Sequence, residues 1–341
     1  MKIFFIILII LIIPQLYYLR KEGFYKSLAM TSKYFKRLTI SEDKNHEELY
    51  LTNTDGNDIF VKIYKTDRPK GLVQLVHGMS EHGGNYDDFA NFLADNGYIV
   101  AIADHRGHGR SISNAYPNGF MQRAEELIDD QAMLSKYLKA AYPDKNLFML
   151  GHSMGSMIAR LYLRKNDKLI DKLILTGTVP GNAFASVGVF FLNVLCFYFG
   201  DKHESQIIDY IVGAGKGLDF ISFNEENIKN KENDPMRIFK FKLGYSRTLI
   251  ELNQKLTRSR TYELANPNLK IYNLVGESDP ITKGEKGIKS SLTFLEELGY
   301  KNINSKAYKD MKHEILNETD KEIVYEDILN ILDDKDNLIV F

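Results

Sequence analysis

The sequence has a single cysteine, Cys196, in 341 residues. One thiol excludes an intramolecular disulfide and leaves no cysteine–histidine spacing of the kind that holds zinc. It is compatible with a reducing compartment. Net charge is equally scarce, at −1. No overall field therefore draws the chain to nucleic acid, and no basic, aromatic-interleaved stripe supplies a local one. Internal repeats are missing, and no low-complexity tract follows the N-terminal run. What remains, with 44% hydrophobic and 26% charged residues, is the balance of a globular protein. Its length suits one large α/β domain carrying an insertion, or two domains.

The N-terminus departs from that balance. Ile3 to Ile13 is unbroken aliphatic and aromatic, and Leu16 to Leu19 continues it after Pro14 and Gln15. The stretch sits at the short end of what a spanning helix needs. Lys2 would serve the positive end of a signal peptide, but the only small-residue cleavage site, Ser27-Leu28-Ala29, lies far downstream. Residues 1–20 are therefore expected to be an uncleaved membrane anchor, and residues 21–43 a basic connector. Only Lys2 precedes the run, whereas Arg20, Lys21, Lys26, Lys33, Lys36 and Arg37 follow it. That asymmetry favours a cytoplasmic catalytic domain over an exported one.

Beyond the connector, Glu48–Thr52 and Ile59–Tyr64 alternate as a hairpin with Asp55-Gly56 at its turn. Later runs are continuously apolar, as strands buried on both faces must be. These are Leu72–Val76, Tyr98–Ala103, Leu147–Leu150, Leu173–Thr176, Ile271–Val275 and Ile303–Tyr308. Helical patterns separate them at Asp87–Asn96, Ala124–Ala141, Met154–Arg164, Gly284–Leu298 and Lys321–Leu332. Strand alternating with helix predicts a mostly parallel sheet covered on both faces. Between Thr176 and Ile271 no strand is evident. A connection that long must carry structure of its own, and it reads as helical, with an apolar Val187–Phe199 and an amphipathic Met236–Thr257. The expected division is a core of residues 44–177 and 266–341 with a helical lid insertion over 178–265.

Gly151-His152-Ser153-Met154-Gly155 fits G-x-S-x-G between a strand and a helix. The flanking glycines permit the sharp turn that lifts a serine hydroxyl out of the sheet edge. A serine needs a base, and the base an acid to orient it. In this strand–turn–helix setting the chain order is serine, acid, histidine. Asp279, in Gly276-Glu277-Ser278-Asp279-Pro280, follows one strand, with Glu277 as its nearest competitor. His313, in Met311-Lys312-His313-Glu314, follows the last. The backbone N–H groups of Met154 and Met79 are the candidate oxyanion donors. Met79 stands in the loop His77-Gly78-Met79-Ser80-Glu81-His82-Gly83-Gly84, where Gly78 allows a close turn. His77 and His82 have no acidic partner pattern and read as loop braces, so no metal and no cofactor is expected.

These motifs, with Asp104-His105-Arg106-Gly107-His108-Gly109-Arg110-Ser111 and His313-Glu314-Ile315-Leu316-Asn317-Glu318, resemble the monoacylglycerol lipase and lysophospholipase branch of the α/β hydrolases, the serine aminopeptidase-like family. The resemblance implies an α/β-hydrolase fold, a Ser153–Asp279–His313 triad and a Met79/Met154 oxyanion pair. It also implies a structural role for the Asp104–Ser111 loop. Ser156 stands where the family usually has a second glycine, and the N-terminal run is not general in it. The expected activity is hydrolysis of a single-chain lipid ester by way of an acyl-enzyme. A peptidase or thioesterase on the same triad is the enzymatic alternative. An inactive membrane-tethered binding protein would be expected to show a gap in the triad. The aromatic run Phe190–Phe199 suits a lipid-facing lid, and equally the lid's own core. The expected partners are a small lipid ester and, through the N-terminus, a membrane.

Overall fold

The computed structural model describes residues 2–31, 36–212 and 217–335. Its centre is a nine-stranded sheet. In chain order the strands are β1 (Lys36–Glu42), β2 (His46–Thr52), β3 (Asp58–Tyr64), β4 (Gly71–Val76), β5 (Tyr98–Ala103), β6 (Leu147–His152), β7 (Lys172–Thr176), β8 (Lys270–Gly276) and β9 (Asn302–Tyr308). They lie in the order β1-β2-β3-β5-β4-β6-β7-β8-β9. The first three pair antiparallel, β3 pairs antiparallel with β5, and β4 to β9 run parallel.

Continuous apolar sequence and parallel pairing have one cause: helices cover both faces. Alternate residues of the central strands divide between two cores. Val76, Ala101, Met149 and Leu175 face one way, toward helices α3 (Ala124–Ala141) and α4 (Met154–Asn166). Leu75, Val100, Leu150 and Ile174 face the other, toward α2 (Asp87–Asp95) and α10 (Lys321–Leu332). The hairpin strand β2 instead alternates in burial, since one face lies nearer solvent. Helix α9 (Gly284–Glu297) links β8 to β9.

Between β7 and β8 stand α5 (Ala185–Phe199), α6 (Gln206–Val212), α7 (Glu225–Glu232) and α8 (Leu243–Lys255). The amphipathic pattern from Met236 becomes helix only at Leu243. Before that the backbone is drawn off the helix path, with Ile238 N–H donating to Ser80 O (3.1 Å) and Lys242 N–H to Gly119 O (2.9 Å).

Residues 21–43 differ from the expected connector. Helix α1 runs from Lys2 to Thr31, and β1 extends the sheet beyond it. Tyr25 donates to Asp129 of α3 (2.7 Å), and β1 takes the open edge of β2 antiparallel, with a shift of register between Thr39 and Ser41. Tertiary partners organise a segment whose composition alone reads as a linker.

Candidate active site

The parallel strands bring three loops to their C-terminal ends. At the end of β6 the chain reverses at Ser153, whose backbone sits at φ 53° and ψ −116°. That left-handed conformation is costly for a residue with a Cβ and persists only where neighbours enforce it. Ser153 N–H donates to Thr176 O (2.9 Å). A Cβ on Gly155 would fall 2.0 Å from Val76 O, and one on Gly151 2.6 Å from Gly155 O. Ser156 uses its side chain, donating from Oγ to Ser153 O (2.6 Å). That hydrogen bond braces the turn.

The loop after β8 supplies Asp279. Its Oδ1 accepts from Ile281 N–H (2.7 Å), which leaves Oδ2 for His313 Nδ1 at 2.9 Å. Glu277 is exposed and makes no such contact. The loop after β9 supplies His313, whose Nε2 lies 2.8 Å from Ser153 Oγ. With Nδ1–H directed at the carboxylate, Nε2 is the acceptor, the tautomer a base must have. All three side chains are buried. The expected serine, acid and histidine are therefore brought into one hydrogen-bonded line.

Met79 and Met154 both face the cavity beside Ser153, and among the described residues neither backbone N–H has an acceptor. The cavity is about 300 Å³ and mainly apolar, with Met157, Val179, Leu218, Phe220 and Leu249 in its wall. Beside the triad, Lys231 of α7 bridges Glu81 Oε2 (2.7 Å) and Glu314 Oε1 (2.9 Å). Burial pushes the Glu81 carboxyl up, but the Lys231 ammonium outweighs it and holds the group at about 2. Burial and Lys231 oppose each other at Glu314 in the same way, leaving it below the usual range. Tyr86 OH donates to Glu81 Oε1 (2.7 Å), and Gly78 N–H donates to the same oxygen. The Lys231 bridge therefore ties the Met79 loop to the residue next to His313.

His77 and His82 hold loops. His77 Nε2 accepts from His105 N–H (2.9 Å), and His82 Nε2 meets Asp234 Oδ2 at 2.9 Å. Burial pulls the His152 ring down to about 4, keeping it neutral beside His313, with 4.8 Å between the ring centroids. The Asp104–Ser111 loop lies behind the cavity and lines none of it. Arg106 grips Asp130 through Nε (2.7 Å) and Nη2 (2.7 Å). Three carboxylates, Glu22, Glu125 and Glu251, converge elsewhere. The Lys255 ammonium stands among them at 3.2, 2.8 and 3.3 Å, so a cation of the chain itself serves them.

Sequence reasoning missed Lys231, Arg237 and the work of Glu81 and Glu314. The two glutamates lay inside quoted motifs and carried a signal. The two cations sit between β7 and β8, where spacing carries none.

A family profile described as serine aminopeptidase, S33, matches residues 67–320. A monoacylglycerol lipase of Mycolicibacterium smegmatis is 26% identical over 76% of this chain and 87% of its own. Phospholipase YtpA of Bacillus subtilis is 24% identical, over 77% and 95%. The match to human monoglyceride lipase, 29% identical, covers 43% of this chain and 50% of that one. Among solved structures, a thermostable carboxyl esterase from Bacillus coagulans in complex with glycerol superposes with a TM-score of 0.74. It is 25% identical and covers 89% of this chain and 99% of its own. The fold shared with these structures is that of the α/β hydrolases.

Proposed function

The chain belongs to the serine aminopeptidase S33 family of hydrolases, and on that premise we propose that it cleaves the carboxylic ester of a single-chain lipid. The observation that carries this reading is the Ser153–His313–Asp279 line opening on an apolar cavity. Monoacylglycerol lipase and lysophospholipase relatives support the same class of substrate. Ser153 Oγ attacks the ester carbonyl as its proton passes to His313 Nε2, and Asp279 stabilises the imidazolium. The N–H groups of Met79 and Met154 take the oxyanion. Collapse expels the alcohol, which leaves with the proton from His313, and the acyl group stays on Ser153. Water then repeats the sequence, losing its proton to His313 and releasing the acid and free serine. Helices α5 to α8 act as the lid whose wall accepts the acyl chain.

One observation favours an anionic head group. Arg237 lines the cavity and stacks on Phe239, with 5.0 Å from its guanidinium to the ring centroid. Burial lowers its pKa from the ordinary value. Among the described residues no carboxylate lies within ion-pair distance of it. A half-desolvated guanidinium of this kind suits a phosphate. The test is a panel of lysophospholipids, monoacylglycerols, thioesters and aminoacyl amides. Ester turnover that vanishes in Ser153→Ala is the expected result, and exclusive amide turnover would overturn the reading. Arg237→Gln should lower kcat/KM about tenfold for lysophospholipids and leave monoacylglycerols unchanged.

A further inference from the structure

Helix α1 is long and apolar enough to cross a bilayer over Lys2–Gly23, yet the catalytic domain already holds its side. From Leu11 onward an inward stripe recurs every three or four residues: Leu11, Pro14 and Gln15, Tyr18, Lys21 and Glu22, then Tyr25. Tyr18 packs on Cys196 and Leu243, and Gln15, Glu22 and Tyr25 make polar contacts. Gln15 Nε2 donates to Phe190 O of α5 (3.0 Å) and its Oε1 accepts from Asn193 (2.8 Å). Tyr18 OH donates to Asp201 (2.5 Å) under the Arg247 guanidinium. Glu22 pairs with Lys255 at 3.2 Å, and Tyr25 with Asp129. Asp129 belongs to α3 and Lys255 to α8, both outside α5 and α6, so the part of α1 from Glu22 onward is held out of the hydrocarbon. A helix cannot be clasped there and be wrapped in lipid over the same residues.

The part exposed on all sides is Ile3–Ile10, which rises about 12 Å against a hydrocarbon core of about 30 Å. Beside it lies more uncovered apolar surface. The outer face of α1 exposes Ile13, Leu16 and Leu19, and α5 exposes Phe191 (57%) and Phe199 (61%). Tyr198 OH of α5 donates to Ile10 O (3.1 Å), joining the two helices. Helix α6 adds Ile207 (74%) and Tyr210 (68%). Its Ile208 packs in the cluster of Tyr18, Cys196 and Leu243. These helices hold most of the large apolar side chains that the molecule leaves exposed, and a continuous patch of that kind marks a lipid or protein contact.

We propose that α1, α5 and α6 form one wedge that enters a single leaflet of a bilayer, with α1 remaining docked on the domain instead of crossing. Ala185, the first residue of α5, lines the cavity. The wedge therefore ends at the wall of the cavity, a placement at an acyl site only if the protein is the lipid esterase proposed. Cys196, buried beneath Tyr18, reports on the docking.

The experiment uses the full chain reconstituted into vesicles of phosphatidylcholine and phosphatidylglycerol, with the catalytic domain outside. A Lys2→Cys variant is challenged with an impermeant maleimide enclosed in the lumen, and native Cys196 with a permeant one. The expected result is no lumenal labelling at position 2 and a Cys196 that stays protected. Labelling from the lumen, or prompt alkylation of Cys196 on membrane binding, would overturn the proposal. Deleting residues 2–10 should weaken vesicle binding by about tenfold or more with Cys196 still buried. Undiminished binding would overturn it as well. Should the deletion fail to fold, Ile6→Asp carries the same expectation. Hydrolysis of soluble esters is read in parallel, so failure of the wedge and failure of the esterase reading give different patterns.

Discussion

The strand-end loops and the helices around them are built on opposite terms. Around Ser153 there is no slack: a Cβ on Gly155 would strike Val76 O at 2.0 Å, and one on Gly276 would strike Lys312 O at 2.1 Å. Each loop is sewn to the next by short backbone and side-chain hydrogen bonds. In α1, α5 and α6 much of the surface faces outward, with Ile3 75% and Ile207 74% exposed. The contrast teaches that side chains held within fractions of an ångström stand on loops pinned at strand ends, while the uncovered apolar surface stands on helices. Lys231 joins helix to strand ends, because it stands on α7 between β7 and β8 and pairs with a glutamate from each of two site loops.

The comparison breaks hardest at the rigid end. Ser153→Ala should lower ester turnover by about 10⁶-fold with an unchanged melting temperature, measured by single-substrate kinetics and calorimetry. Asp279→Asn should cost about 10⁴-fold, whereas Glu277→Gln should be nearly silent. The reverse ranking would mean that the wrong carboxylate has been assigned.

At the joint, Lys231→Met would leave two buried carboxylates facing each other. A loss of about 3–5 kcal/mol in stability is expected, read by denaturant titration. The deficit should shrink as pH falls. Without the ammonium, burial raises both carboxyls, and their protonation removes the repulsion.

Acid should open the frame more gradually. Burial holds His105 and His152 at about 4 and His108 at about 3, with His77 also well below the ordinary range. The folded state therefore takes up fewer protons than the unfolded chain below the free-histidine pKa of about 6.5. Stability should fall as pH drops from there toward about 4. Glu81 extends the loss lower, since its stabilisation fades as pH falls from the free value toward about 2. Burial raises Asp104 and opposes the trend. Urea midpoints across this range give the slope, and a flat profile would contradict the neutral buried rings.

The smallest effect belongs to the outer surface. Phe199→Ser should shift stability by no more than about 0.5 kcal/mol while measurably weakening vesicle binding.

How much was readable in the sequence follows the same division. The strands and the helices packed on them are set by local pattern, and the structure returns Ala124–Ala141 and Lys321–Leu332 with the expected bounds. Continuous apolar runs can be satisfied only inside a two-faced sheet, and Gly155 tolerates no side chain, so local chemistry left few alternatives. Ser153, Asp279 and His313 were nameable because each follows a strand that ends on the same edge. The choice of Asp279 over Glu277 had a weaker basis, since both lie in one short loop and only the direction of each side chain separates them. Tertiary structure alone decided that Lys231 would meet Glu81 across 150 residues and that Arg237 would face the cavity. It also decided that residues 21–31 would continue α1 instead of forming a linker. Those outcomes depend on long-range partners such as Asp129, Asp201 and Lys255, whose positions no local period or spacing encodes.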